Sequence, residues 1–209
     1  MIFGMRLVLA LSALCLAAPA SAGDPELLFR EDWKETAPAI PVTQEHVAHP
    51  GLIVERHGPG ASVIKKSHHD WVPNDPYYVW SGLADGTWAV SLTHREGAFD
   101  LSGEAKVRWR AKQAGFRELR LILKLADGGW LVSDQADGPS EDWRVHEFSL
   151  PEIRWRSLDI EQVVEGKWVE APDLSRAAAV GFTDLMPGGR SAACSRLDWI
   201  EVWGSPSSR

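Results

Sequence analysis

Ala105-Lys106-Val107-Arg108-Trp109-Arg110-Ala111-Lys112 sets an apolar residue against a cation at every second position. Side chains of an extended chain point alternately to opposite sides, so this stretch predicts a strand with one buried and one wet face. Leu119, Leu121, Leu123 and Leu125 repeat the period against Arg120, Ile122 and Lys124. Weaker alternation runs through residues 27–33, 52–56, 77–81, 87–93, 129–133, 143–150, 153–158, 178–183 and 196–203. Asp85-Gly86, Asp127-Gly128-Gly129, Asp137-Gly138-Pro139 and Pro187-Gly188-Gly189 separate these runs with turn chemistry. The one helical candidate beyond the N-terminal segment is a short turn near residues 159–164. Short strands at this spacing predict an all-β fold, an antiparallel two-sheet β-sandwich of the jelly-roll type. It is expected to occupy residues 23–204, with 205–209 as a frayed tail. Residues 36–50 and 57–76 are expected to be long loops, which in a compact domain are usually functional or disordered.

The N-terminal segment reads differently. Arg6 precedes an apolar run over residues 7–16, and Ala20-Ser21-Ala22 has the small-residue spacing of a peptidase site. Residues 1–22 are thus predicted to be a cleavable secretory signal peptide, with a periplasmic or extracellular destination. Leu14 before Cys15 argues against a lipoprotein anchor, and no later apolar run is long enough to span a bilayer, so no membrane anchor is expected. Loss of Cys15 with that segment leaves Cys194 without an intrachain partner, best read as a buried thiol. The formal net charge of −7 argues against a nucleic-acid partner that needs a broad basic footprint. Trp is the outlier, with 11 residues against 2 Tyr and 6 Phe.

The two ends of the chain beyond the signal carry a recognisable pattern. Leu28-Phe29-Arg30-Glu31-Asp32-Trp33 near the start is matched by Ser195-Arg196-Leu197-Asp198-Trp199-Ile200 near the finish. Between them stand Asp100-Leu101-Ser102-Gly103 before the strand around Trp109, and Asp173-Leu174-Ser175 before Val180-Gly181-Phe182. The chain resembles the galactose-binding-like β-sandwich of many secreted carbohydrate-binding modules. That resemblance implies a structural calcium ion where an acidic residue of the opening strand meets an Asp of the closing strand. Glu31, Asp32 and Asp198 would be its ligands, hard oxygens of the kind Ca²⁺ prefers. The alternative is solvated edge charges, or ion-pair partners for Arg30 and Arg196.

Trp also suggests saccharide. Indoles offer flat apolar surfaces for sugar C–H faces and an N–H donor for hydroxyls. A two-sheet core is expected to absorb about seven of the 11, Trp88, Trp109 and Trp199 among them. Trp71, Trp130, Trp155 and Trp168 are the expected surface candidates. Arg108, Arg110, Arg120 and Arg144, with Lys124, His146, Arg154 and Arg156, lie mainly on polar sides of strands. If those strands share a sheet they form one cationic surface for an acidic polysaccharide. Carboxylates such as Glu104, Glu118, Asp142 and Glu147 neutralise it in the alternative reading.

His68-His69-Asp70-Trp71 and Tyr77-Tyr78 concentrate proton-transfer groups in one loop. Adjacent histidines on an extended chain diverge, and the spacing does not match a closed zinc site. His68, His69, Tyr77, Tyr78 and His146 are the catalytic candidates if the protein is an enzyme. No nucleophile elbow, phosphate loop or dinucleotide fingerprint is present. Three readings follow: a non-catalytic module binding a polysaccharide or oligosaccharide, a small glycan hydrolase or lyase on the same scaffold, and a periplasmic scaffold domain. Several indoles exposed on one surface would separate the first from the third. Convergence of the His and Tyr residues in one cleft beside Arg would favour the second.

Overall fold

The computed structural model describes residues 24–187 and 192–206. The predicted signal segment, residues 1–22, and Gly188-Gly189 lie outside the described residues, as do residues 207–209. The strands are β1 (Glu26–Glu31), β2 (Leu52–His57), β3 (Lys65–Ser67), β4 (Tyr78–Trp80), β5 (Trp88–His94), β6 (Phe99–Asp100) and β7 (Lys106–Gln113). They continue as β8 (Leu119–Leu125), β9 (Trp130–Asp137), β10 (Arg144–Ser149), β11 (Trp155–Asp159), β12 (Val164–Val169), β13 (Ala177–Asp184) and β14 (Ser195–Pro206). Among the described residues three short 3₁₀ turns interrupt them, at Gln44–His46, Ala61–Val63 and Leu150–Glu152.

Every pairing is antiparallel, and the strands form two layers. In the front layer β7 lies between β10 and β14, β14 pairs along its other edge with β1 and β4, and β3 flanks β4. The back layer runs β2-β5-β13-β8-β9-β11-β12. β14 passes from front to back near its end, where Ser205 pairs with Asp100 of β6, and Phe99 of β6 pairs with Ala177 of β13. Fraying from residue 205 is therefore replaced by pairing through Pro206. Gly204 sits at this crossing; an added Cβ would come within 2.5 Å of the Asp100 carbonyl oxygen.

The alternation of β7 reads directly in space. Val107, Trp109 and Ala111 point inward, and Leu119, Leu121 and Leu123 of β8 belong to the same core cluster between the layers. Trp109 meets Phe148 edge-on at 4.5 Å, and Trp88 meets Phe182 at 6.0 Å. Burial of each large side chain contributes about 1.5–3 kcal/mol. Ile122 belongs elsewhere: with Ala89, Val132, Leu158 and Val163 it forms a second cluster, against which Trp130 and Ile160 pack. That cluster explains residues 159–164, which form a hairpin turn between β11 and β12 and not a helix. Asp159 Oδ1 accepts from the N–H groups of Glu161 and Gln162, each at 3.0 Å, and closes the turn. Cys194 is buried, as expected.

Candidate functional site

Directly opposed residues in a ladder share a face, so register alone lays out the outer surface of the front sheet. One cross-strand row reads Lys112, Arg196, Trp80, Lys65 from β7 to β3. The next reads Val145, Arg110, Trp199, and the third Glu147, Arg108, Glu201, Arg30. The last reads Ser149, Lys106, Trp203, Leu27. Three part-exposed indoles thus sit among cations on one open face. The sheet beneath is rigid because Leu197, Ile200, Val202 and Phe29 anchor the same strands in the core.

Each of these indoles has a cation against it. The Arg30 guanidinium carbon is 4.3 Å from the Trp199 ring centroid, Lys65 Nζ 5.4 Å from Trp80, and Lys106 Nζ 5.7 Å from Trp203. Cations over indole faces fix ring orientation at modest energy. Part of the charge is neutralised within the face. Arg110 pairs with Asp198 at 2.7 Å, Arg30 with Asp32 at 2.7 Å and Glu201 at 2.6 Å, and Arg108 with Glu147 and Glu201 at 3.5 Å each. Asp32 holds the Arg30 guanidinium firmly in its charged form. Lys65, Lys112 and Arg196, all in the first row, have no carboxylate within salt-bridge distance among the described residues. The uncompensated positive charge of the face gathers there.

The long loop of residues 68–77 extends this end of the face. His69 Nδ1 lies 3.0 Å from Asp75 Oδ2 and 3.1 Å from the Tyr78 hydroxyl, and Asp75 also accepts the His69 backbone N–H at 2.8 Å. Trp71, 78% exposed, meets His69 at 4.8 Å. Trp143 meets Tyr78 at 5.2 Å, and Arg110 reaches over Trp143 at 5.5 Å. Rings therefore run without a break from Trp71 through His69, Tyr78 and Trp143 to Arg110, which stands opposite Trp199. His68 stacks flat on Tyr77 at 4.0 Å. Burial pushes the Tyr78 hydroxyl above its usual range, so it stays a neutral hydrogen-bonding group. The arrangement positions rings for contact.

The expected residues divide among several places. Arg108 and Arg110 lie on the front face, but Arg120 lies on β8 of the back sheet, paired with Glu165 at 3.4 Å. One continuous cationic surface is thereby corrected: β7 and β10 belong to the front layer, β8, β9 and β11 to the back layer, and their outer faces look away from each other. Arg144 and His146 sit opposite the inward residues Ala111 and Trp109, so they occupy the inner side of the edge strand β10. Both surround buried Asp137, which also accepts from Trp109 Nε1 at 3.0 Å. His146 consequently joins a different cluster from His68, His69, Tyr77 and Tyr78. Trp155 is 2% exposed, a correction to its expected surface role. Its position opposite Ser133 and Val169 turns it into the core. Trp130 is half-buried against His57 and Lys124 on the back sheet.

Of the three acids expected as calcium ligands, Asp32 and Asp198 lie close enough to feel each other's charge, and Glu31 is engaged separately. Adjacent strand residues diverge, so Glu31 is buried while Asp32 faces solvent. Glu31 accepts three backbone N–H groups, from Trp33 at 2.8 Å, Ala48 at 2.7 Å and His49 at 2.9 Å. It thereby organises the loop after β1. Asp32 and Asp198 are engaged by Arg30 and Arg110, as above. Among the described residues no group of three or more His, Cys, Asp or Glu side chains could hold a metal ion.

The sequence reading missed Trp80, Trp143, Trp199 and Trp203 as surface residues. Only Trp33, Trp88, Trp109 and Trp155 of the 11 are buried. The register of β14 shifts between Leu197 and Trp199, so Asp198 is an extra residue that moves Trp199 to the outer face. The signal was present in Ile200 and Val202, whose own period places Trp199, Glu201 and Trp203 on the opposite side.

No family model matches the chain, and no curated protein does. Solved structures do. The family 11 carbohydrate-binding module of a Clostridium thermocellum cellulosomal cellulase is 16% identical, with a TM-score of 0.48 over 90% of this chain and 99% of that one. A family 29 module complexed with cellulohexaose is 12% identical, with a TM-score of 0.45 over 81% and 92% of the two chains. The family 30 module of another Clostridium thermocellum cellulosomal cellulase is 10% identical, with a TM-score of 0.43 over 85% and 98%. The chain is similar in architecture to carbohydrate-binding modules. At these scores the likeness concerns strand arrangement alone.

Proposed function

We propose that this protein binds a polysaccharide along the outer face of its front sheet, as a non-catalytic module. The observation that carries the reading is the gathering of Trp80, Trp199 and Trp203 from two paired strands onto one outward face, continued by Trp143 and Trp71. A buried scaffold domain has no need to expose so many indoles together. Sugar rings stack on the indoles, while Arg and Lys donate to hydroxyls and carboxylates. The row of Lys65, Lys112 and Arg196, without a carboxylate at salt-bridge distance among the described residues, selects an acidic chain, against a molecule of net charge −7. His146 standing in a separate cluster from His69 and Tyr78 disfavours the hydrolase or lyase alternative. Residues 1–22 direct the protein across a membrane, and it works in the periplasm or outside the cell.

Affinity gels containing polygalacturonate or hydroxyethylcellulose, scored with assays for new reducing and unsaturated ends, test this reading. Retention by polygalacturonate without product is expected, weakening as salt rises, and unchanged by a calcium chelator. Trp199→Ala and Trp80→Ala are each expected to weaken retention about 5–30-fold, the loss of roughly 1–2 kcal/mol of stacking. Product release would make the protein an enzyme, and full retention by both variants would remove the face from the account.

A further inference from the structure

Where the chain leaves β10 in the front sheet for β11 in the back sheet, it builds a pocket of about 250 Å³. The 3₁₀ turn Leu150–Glu152 forms one wall, with Pro151 in its first turn, and residues 170–174 form another. Arg154, Trp155, Trp168 and Glu170 line it. Trp168 is 40% exposed, and the guanidinium carbons of Arg154 and Arg156 both lie 4.2 Å from its ring centroid. The two arginines differ in their remaining contacts. Arg156 donates to the Gly166 carbonyl at 3.1 Å and approaches Glu165 at 3.8 Å. Arg154 has no carboxylate within salt-bridge distance among the described residues.

The mounting is stiff. The Arg154 N–H donates to Asp134 Oδ1 at 3.0 Å, and its carbonyl accepts from the Asp134 N–H at 2.9 Å. Pro172 stiffens the far wall beside Ala171, which is held at φ 42° in the left-handed region. A residue without the freedom of glycine persists there only when its surroundings impose the conformation, and such positions concentrate at binding sites.

The geometry points to a second saccharide site, a pocket for one neutral sugar ring at the end of a glycan. Its volume falls below the roughly 300–1,000 Å³ of pockets that enclose drug-sized ligands, which limits it to a short terminal unit. Arg154 and Glu170 line the pocket with a donor and an acceptor, the combination that neighbouring hydroxyls of one ring satisfy. Trp168, 40% exposed beside the two guanidinium groups, supplies the apolar contact. Only the class of ligand rests on the glycan reading of the front face; the pocket is built from other strands. Two sites on opposite layers would let one chain hold the body of one glycan and the end of another, and gain avidity from both.

Calorimetric titration of the full protein with cellotetraose and, separately, trigalacturonate tests this, using Trp168→Ala, Arg154→Ala and Trp199→Ala variants whose melting midpoints match the parent. The expected result is a cellotetraose site that Trp168→Ala abolishes, Arg154→Ala weakens about tenfold and Trp199→Ala leaves intact. Trigalacturonate binding is expected to weaken about 5–30-fold in Trp199→Ala and to be unchanged by Trp168→Ala and Arg154→Ala. If Trp168→Ala and Arg154→Ala leave both titrations unchanged while Trp199→Ala weakens binding, the pocket is overturned and the front face stands. If only the pocket variants lose binding, the pocket stands and the front face falls. Absence of heat with both sugars overturns both.

Discussion

Lys66 is wholly buried, opposite Val79 in the ladder between β3 and β4. Its Nζ has no hydrogen-bond partner among the described residues and lies 4.3 Å from the Tyr77 ring centroid, the ring on which His68 stacks. Burial lowers the amine from 10.5 to about 8. The charged form is disfavoured in the native state, so its cost is present in full below about pH 8 and disappears above the unfolded value of 10.5. Native stability should therefore rise between those limits. Replacing Lys66→Met is expected to stabilise the protein by about 1–3 kcal/mol at neutral pH and to flatten that rise. Urea midpoints at pH 7.5 and 9.5 for both proteins read the difference; a variant less stable at both pH values would mean that the amine has a favourable partner. His46, His57 and His146 act at the other end of the scale. Burial lowers each, so stability falls as pH drops below 6.5 and the unfolded chain takes up protons first.

Among the elements, β14 does most to connect fold and site. Its Leu197, Ile200 and Val202 hold the core, its Arg196, Trp199 and Trp203 face outward, and its end stitches the two sheets through β6. Gly204→Ala places a Cβ against the Asp100 carbonyl at that stitch and is expected to cost about 1–3 kcal/mol. Thermal or urea unfolding reads this; an unchanged midpoint would show that the crossing relaxes freely. The strong period of β7 and β8 made both strands legible from sequence, because a half-buried strand must alternate. Three elements were not legible. β3 and β6 are too short to show a period, and β12 is exposed on nearly every residue, so no apolar alternation marks it. Trp199 was misplaced because one bulged residue reverses facing after Leu197, and only the period of Ile200 and Val202 beyond it carries that reversal in the sequence. The contacts of the acids expected to hold calcium were hidden for a related reason. Neighbouring acids in sequence say nothing of which backbone donors reach them, and Glu31 is taken by Trp33, Ala48 and His49.

At the scale of the whole molecule, two layers facing away from each other turn one expected cationic surface into two unlike ones. The front carries rows of indoles and cations continued by the Trp71 loop, and the back carries the small apolar cluster and the Trp168 pocket. The core between them separates buried Trp33, Trp88, Trp109 and Trp155 from the indoles of the surface. That separation offers a direct test, because each indole N–H gives its own proton resonance. Titrating isotope-labelled protein, residues 23–209, with oligogalacturonate should move the signals of Trp80, Trp143, Trp199 and Trp203 together and saturably, while those of Trp88 and Trp109 stay in place. Shifts confined to Trp130 or Trp168, with the front-face signals unmoved at saturation, would contradict the assignment of the front sheet as the glycan surface.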